Sequence, residues 1–253
     1  MDLGLSDRVY IVTGASRGLG RACAEQLAAE GARLVLSDPD ENAVRATAAA
    51  LGGSERALPV SADLSDPGLE TCVVAAAIAR YGRLDGALVA VGGSQLGTAM
   101  ATEDGTWRLA FETMFLGPLR LCRAVGSTVS HEGGSIVMML STSVREPIEG
   151  RVLSNGLRPG LAMTAKTLAD ELGPRNVRVN AVLPGRIDTE RDRRPDSSGR
   201  PEDLHRPKQE DIPLRRLGEP LEFARPAVFL LSPAASYVTG SVLTVDGGMT
   251  RSM

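Results

Sequence analysis

Thr13-Gly14-Ala15-Ser16-Arg17-Gly18-Leu19-Gly20 follows a β-branched run at 8–12 and opens directly into a segment of helical period at 18–30. Glycines at such a strand-to-helix junction let the backbone turn tightly and approach a bound group. The free N–H groups and the dipole at the helix start then favour the negative charge of a pyrophosphate. Glycines also end strands for purely structural reasons, so the motif gains force from Asp38, eighteen residues after Gly20 at the end of the next strand-like run. A carboxylate there can accept hydrogen bonds from a ribose 2′-hydroxyl and would repel a 2′-phosphate. This favours NAD(H) over NADP(H), although Arg17 in the loop offsets part of the repulsion. Asp38 can equally cap the helix after Pro39, and the two roles are compatible.

Outward from this stretch, strand-like runs at 33–37, 57–60, 87–91, 135–140, 177–182 and 241–245 alternate with helical segments at 41–51, 67–81, 103–130, 159–172 and 220–231. Parallel strands need crossovers, and crossovers are right-handed. The alternation therefore predicts an α/β fold: a single Rossmann-type doubly wound parallel sheet of about seven strands with helices on both faces. Gly31 sits where the first helix should stop, and Asp66-Pro67 reads as an N-cap followed by proline at the first helical position. At 253 residues the chain reads as one domain, 1–253. The compositional break is 186–216, rich in Arg, Asp, Glu and Pro, which reads as a lid over a pocket.

Composition narrows the partners. Twenty-eight basic against thirty-one acidic side chains leave a net charge of −3, with no general pull toward nucleic acid or an anionic membrane. No apolar run approaches the ~20 residues of a spanning helix. Cys23, Cys72 and Cys122 are odd in number and widely spaced, and only two histidines are present to complete a metal site, so no metal is expected. They read as small buried hydrophobes in a reducing compartment. Together with an acidic start that lacks the pattern of a signal peptide, they point to the cytoplasm.

Further motifs fall in a recognisable order: Ala62-Asp63-Leu64, Val179-Asn180-Ala181-Val182, Pro184-Gly185-Arg186-Ile187-Asp188-Thr189, and Tyr237-Val238-Thr239-Gly240 through Asp246-Gly247-Gly248. With the Thr-Gly-x-x-x-Gly-x-Gly spacing at 13–20, the chain resembles the short-chain dehydrogenase/reductase family over nearly its whole length. The resemblance implies a dinucleotide held by Thr13, Gly14, Ser16, Arg17, Gly18, Leu19, Gly20 and Asp38. It places Asp63 and Leu64 near the adenine, and Gly92, Pro184, Gly185, Ile187 and Thr189 on the nicotinamide side. It also implies a small-molecule carbonyl or alcohol substrate, and a homo-oligomer, tetramer or dimer.

The family's reductases use a tyrosine whose acidity is raised by a lysine, a serine that holds the substrate oxygen, and an asparagine that supports a relay. Ser141 matches the serine. The tyrosine position, about thirteen residues on, reads Ser154, and the lysine four further reads Arg158. Lys166-Thr167-Leu168-Ala169 keeps the same offset downstream. The asparagine position reads Met114, and the usual Asn-Asn-Ala-Gly reads Ala90-Val91-Gly92-Gly93. The chain is similar to a divergent branch of the family with Ser-x-x-x-Arg at this place. Ser141, Ser154 and Arg158 are thus the catalytic candidates. An aliphatic hydroxyl is far less acidic than a phenol of pKa ~10, and a guanidinium keeps its proton while its fork can grip a carboxylate, a phosphate or a ribose edge. Pro159 predicts that the helix begins nearby or is kinked, displacing Ser154 and Arg158 from the groups they replace.

Glu146 and Glu149 in the intervening segment, and His205 in the lid, are alternative acids or bases, though each equally suits a solvated loop. Arg145 and Arg151 can select an anionic substrate. Met114, Met138 and Met139 read as packing, Trp107 as an anchor, Lys166 as surface, and the alanine stripe of 159–172 as helix packing or a subunit interface. Two functions remain open: an NAD(P)-dependent oxidoreductase with a non-standard site, and a dinucleotide-binding protein, sensor or partner subunit, that does not turn over. Nothing positive points to a third, non-redox use such as isomerisation.

Overall fold

A computed structural model describes residues 2–93, 95–129, 132–190 and 209–252. Seven strands, β1 (Val9–Thr13), β2 (Arg33–Asp38), β3 (Ala57–Ser61), β4 (Gly86–Ala90), β5 (Gly134–Met139), β6 (Val177–Pro184) and β7 (Val242–Val245), form one parallel sheet in the order β3-β2-β1-β4-β5-β6-β7. Among the described residues, seven α-helices connect them: α1 (Gly18–Ala29), α2 (Glu41–Ala50), α3 (Leu69–Tyr81), α4 (Asp104–Phe111), α5 (Gly117–Thr128), α6 (Val152–Leu172) and α7 (Pro220–Leu231). Both faces of the sheet are covered, which is why the central strands read as continuous apolar runs. Side chains nevertheless alternate. Val9 and Ile11 join Ile136, Met138 and Val179 in the core under α3, α5 and α6. Tyr10 and Val12 join Leu34, Leu88 and Val137 under α1 and α7.

The order reverses between β1, whose neighbours are β2 and β4, and the half beginning at β4. A crevice opens at such a switch point, outside the carboxyl ends of the strands. Thr13 closes its floor: its Oγ1 accepts from the Ala90 N–H at 2.8 Å and donates to the Ala90 carbonyl at 3.3 Å, tying β1 to β4.

Three helix expectations need correction. The segment expected from 67 starts at Leu69, because Gly68 takes a positive φ of 89° as N-cap, while the Asp66 carboxylate accepts from the Asp63 N–H. The single helix expected over 103–130 is two, α4 and α5, joined by a π-helical turn at Glu112–Leu116. At that junction the chain passes so close to the loop after β3 that a Cβ on Gly117 would stand 2.0 Å from the Leu64 carbonyl oxygen. Finally, α6 begins at Val152 and runs through Pro159. Proline deletes one N–H donor there, but tertiary contacts hold the first two turns. A Cβ on Gly156 would meet the Trp107 ring at 2.8 Å, and one on Gly160 the Phe115 ring at 3.2 Å, so both glycines let α4 and the π turn close onto α6. Trp107 is thereby the anchor its sequence context suggested.

The alanine stripe of α6 also resolves. Ala162, Ala165 and Ala169 are buried in the core against the sheet, so the stripe is packing and does not face a partner. Of the expected lid, 191–208, including His205, lies outside the described residues. Its flanks are joined, with Ile187 bridging Gly218 and the Asp188 N–H donating to the Gly218 carbonyl at 2.8 Å.

Candidate active site

The carboxyl ends of the strands border a cavity of about 1120 Å³. One end of it begins at the glycine loop. Gly14 and Gly18 hold positive φ of 61° and 55°, which lets the chain leave β1 and enter α1 without a Cβ clash. A Cβ on Gly20 would stand 2.2 Å from the Gly14 oxygen. The loop is therefore folded against the first turn of α1, whose N–H groups face the cavity and can receive a pyrophosphate. Gly14, Arg17, Gly18, Leu19 and Gly20 all line it, with Thr13 at the floor.

Ser16 is the exception among the expected loop residues. It does not line the cavity; its N–H donates to Asp38 Oδ2 at 3.3 Å, and its buried Oγ has no partner among the described residues. Asp38, at the end of β2, also accepts from the Asp40 N–H through Oδ1 at 3.1 Å, while the helix α2 is capped by Asp40. The expected capping role of Asp38 thus belongs to Asp40, and Asp38 borders the cavity with its carboxylate aimed by two backbone bonds. Asp63 and Leu64 follow; Asp63 Oδ1 accepts from both the N–H and the hydroxyl of Ser65. Gly92, Pro184, Gly185, Ile187 and Thr189 form the far wall. Gly185 must be glycine, since its Cβ would lie 2.3 Å from the Asp246 Cβ.

The other end holds the hydroxyl-bearing corner. Ser141, just after β5, has extended backbone, and its Oγ accepts from the Ser143 N–H at 3.2 Å, which leaves its proton to donate into the cavity. Ser154 is buried on the first turn of α6, its Oγ 2.9 Å from that of Ser143. Arg158, one turn further and 5% exposed, points its guanidinium at the ends of two strands. It donates to the carbonyls of Leu140 at 2.5 Å, Gly92 at 2.7 Å and Val91 at 3.2 Å. Ser141, Ser154 and Arg158 therefore do meet at one corner, the latter two on a helix that runs unbroken through Pro159.

All three tyrosines stand elsewhere. Tyr10 is buried, donating to the Leu231 carbonyl, with its phenol made less acidic by burial. Tyr81 donates to the Leu34 and Ser54 carbonyls, and Tyr237 is exposed. Met114 is buried in the core, as is Met138, whereas Met139 borders the cavity. Lys166 is exposed and packs beside Gly240. Glu146, Glu149 and Arg151 line the cavity with Ser141; Arg145 does not. Among the described residues no cluster of acidic, His or Cys groups suits a metal ion, and no helix is long and apolar enough to cross a membrane.

Two further residues shape this end. Ser143 supplies the partner of Ser154. Asn155 holds the loop before α6 through its side chain, accepting from the Ile148 N–H at 3.0 Å and donating to the Ile148 carbonyl at 2.8 Å. Neither carries a sequence signal beyond a small polar residue near an expected site.

Comparison with known proteins gives a consistent picture. A family model described as enoyl-(acyl carrier protein) reductase matches residues 14–250. An uncharacterized oxidoreductase of Mycobacterium tuberculosis is 34% identical over 250 residues, covering 97% of this chain and 93% of its own. L-rhamnose 1-dehydrogenase (NAD(P)(+)) of Azotobacter vinelandii is 33% identical, covering 97% of both. The crystal structure of L-sorbose reductase from Gluconobacter frateurii, complexed with NADPH and L-sorbose, superposes with a TM-score of 0.88 at 31% identity, covering 100% of both chains.

Proposed function

The chain belongs to the short-chain dehydrogenase/reductase family, and from that premise we propose that it is an NAD(P)(H)-dependent oxidoreductase of small polyhydroxylated carbonyl or alcohol compounds, working from a non-standard catalytic corner. The observation carrying this reading is that Ser141, with a proton to donate, shares one cavity with the glycine loop of α1. The residues fit the cofactor the family uses: the loop is closed to any Cβ at Gly20, and Asp38 is aimed at the ribose end.

When bound, the dinucleotide supplies or accepts the hydride. The chain's own residues do the rest. Gly14, Gly18, Leu19 and Gly20 would hold the pyrophosphate through their backbone, Asp38 would accept from ribose hydroxyls, and Asp63 and Leu64 would border the adenine. Gly92, Pro184, Gly185, Ile187 and Thr189 hold the nicotinamide side. Ser141 donates a hydrogen bond to the substrate oxygen as charge develops there, the kind of electrostatic help that works without a titrating acid. Ser154, held by Ser143, backs that corner. Arg158 keeps the ends of β4 and β5 in place. Water reaching the cavity exchanges the proton with the substrate oxygen.

Asp38 supports NAD(H) as the preferred cofactor. Exposed Arg17 supports tolerance of NADP(H), in keeping with the NAD(P)(+) and NADPH in the relatives' names. Ketoses and alditols are the first substrates to try, because two of those relatives act on sugars and the cavity wall offers hydroxyls and carboxylates with no aromatic ring among its lining residues. Exposed Leu109, Phe111 and Met163 on neighbouring helices support a homo-oligomer, and three free cysteines support a cytoplasmic setting.

The test is a panel of ketoses and alditols followed by nicotinamide absorbance with NAD(H) and NADP(H). Turnover with at least one, fastest with NAD(H), is expected. Tight dinucleotide binding with no turnover would instead favour the second reading, a binding protein that does no chemistry. That reading is supported by the absence of any tyrosine from the cavity and by the engagement of Arg158 with strand carbonyls. Ser154→Tyr combined with Arg158→Lys should raise turnover of simple ketones at least tenfold. No gain would mean that these positions are not those of the family's phenol and amine.

A further inference from the structure

Glu146 stands between the turn at Thr142–Val144 and α6, where its residue type suggests a solvated charge or a catalytic acid. Its geometry shows neither. One oxygen, Oε1, accepts two consecutive backbone N–H groups, Arg251 at 2.7 Å and Ser252 at 2.6 Å, more than a hundred residues along the chain. The adjacent Arg145 reaches the Val242 carbonyl at the start of β7 at 3.5 Å, so the loop touches the chain both before and after the turn that follows β7.

That segment is shaped to arrive there. Asp246, just past β7, accepts from the N–H groups of Gly248 at 2.8 Å and Thr250 at 2.7 Å. Gly247 and Gly248 hold positive φ of 66° and 84°, which turns the chain back over the sheet end. As a result Met249 and Thr250 become part of the cavity wall, beside Glu146 and Ile148 at the end where Ser141 lies. Ile148 is held in turn by Asn155 of α6. A half-buried carboxylate bonded to two backbone N–H groups forms charge-assisted bonds roughly twice as strong as neutral ones.

We propose that Glu146 is a positioning residue that sets substrate size: its carboxylate latches residues 249–252 onto the loop beside Ser141, making them the outer wall of the substrate end. The latch stands on geometry alone, while its part in specificity rests on the oxidoreductase reading above. A carbonyl or alcohol compound that fits between this wall and Ser141 is admitted, and a longer one meets Met249 and Thr250.

The test has two arms on the full chain. Amide hydrogen exchange is followed for peptides covering 246–253 and 142–151 in wild type, Glu146→Ala and Glu146→Gln, without added ligand. Loss of both bonds in Glu146→Ala should speed exchange at Arg251 and Ser252 by about 10- to 100-fold, with Glu146→Gln between, because a neutral amide oxygen accepts more weakly. In the second arm kcat and KM are measured for four- and six-carbon ketoses. The six- to four-carbon ratio of kcat/KM should rise at least fivefold in Glu146→Ala, mainly through KM, and return toward wild type in Glu146→Gln. Equal exchange in wild type and Glu146→Ala overturns the latch. Faster exchange with an unchanged length ratio overturns its part in specificity. Failure of the whole sugar panel overturns the substrate class, and is told apart by an exchange difference that persists without turnover.

Discussion

Arg158→Met separates a clamp from a ligand contact. Methionine keeps the reach of the side chain and cannot donate, so the variant strips partners from the carbonyls of Leu140, Val91 and Gly92. Gly92 is exposed and water can replace the guanidinium there, whereas Leu140 and Val91 are 3% and 6% exposed. Two buried carbonyls at about 1–2 kcal/mol each give a loss of about 2–4 kcal/mol. Relief from desolvating the cation pulls the loss toward the lower end, about 2–3 kcal/mol. For a chain of this size that is a fall in Tm of about 4–12 °C. Arg158→Lys, a point charge without the fork, should lose about half as much. Thermal melts of the ligand-free protein, paired with calorimetric titration of NADH, read both effects. A methionine variant that melts within about 1 °C of wild type but no longer binds dinucleotide or substrate would refute the clamp and return Arg158 to the ligand's side.

Gly20→Ala should weaken dinucleotide binding at least tenfold and cost about 1–3 kcal/mol of stability, because the new Cβ meets backbone atoms at 2.2, 2.8 and 3.0 Å and α1 must move off β1; unchanged affinity in a titration would show that the loop has room. Thiol chemistry tests the burial pattern: burial pushes the Cys122 thiol up to about 12 and Cys23 higher still, while Cys72, expected to be buried like the other two, is exposed on α3. At pH 8 an aromatic disulfide reagent should therefore titrate one thiol per folded chain and all three in denaturant, and rapid reaction of a second thiol in the native protein would contradict the packing of α1 or α5.

The glycine loop was legible because its chemistry is local. Strand end, turn and helix start lie within eight residues, and Asp38 follows at the distance one crossover dictates. The sheet was legible for a similar reason, since a doubly covered strand needs apolar residues on both sides and leaves a run that pattern alone reveals. What escaped depends on distant partners. Pro159 looks like a helix start, but Trp107 and Phe115, filling the places of missing side chains at Gly156 and Gly160, hold the helix on both sides of it. The break between α4 and α5 is set by the close passage of Leu64, which no periodicity in 103–130 encodes. Asp38 was read as a possible cap for the helix after Pro39, but the geometry gives that cap to Asp40, two residues on. Glu146 bonds a segment over a hundred residues away, and a single glutamate in a loop announces nothing of the kind.

Ser154 and Arg158 act together on one corner of the cavity. The Ser154 hydroxyl sits 2.9 Å from Ser143 Oγ and so ties the loop after β5 to the first turn of α6. Once that loop is close, the Leu140 carbonyl and those of Val91 and Gly92 converge within reach of one side chain at 158. A lysine brings a single ammonium there, whereas a guanidinium has donors spread over a plane and can serve carbonyls from two strands at once. The Arg158 guanidinium thus braces the ends of β4 and β5 at the floor of the cavity. Ser141, whose backbone-bonded oxygen leaves its proton to donate, stands at the edge of that brace. Under the proposed mechanism, chemistry here relies on a fixed donor beside the substrate oxygen rather than on a titrating acid, so its rate should depend on how rigidly Ser141 is held. On that proposal Arg158 would serve turnover through rigidity, without touching the reacting atoms, and Arg158→Met should lower kcat more than it raises KM.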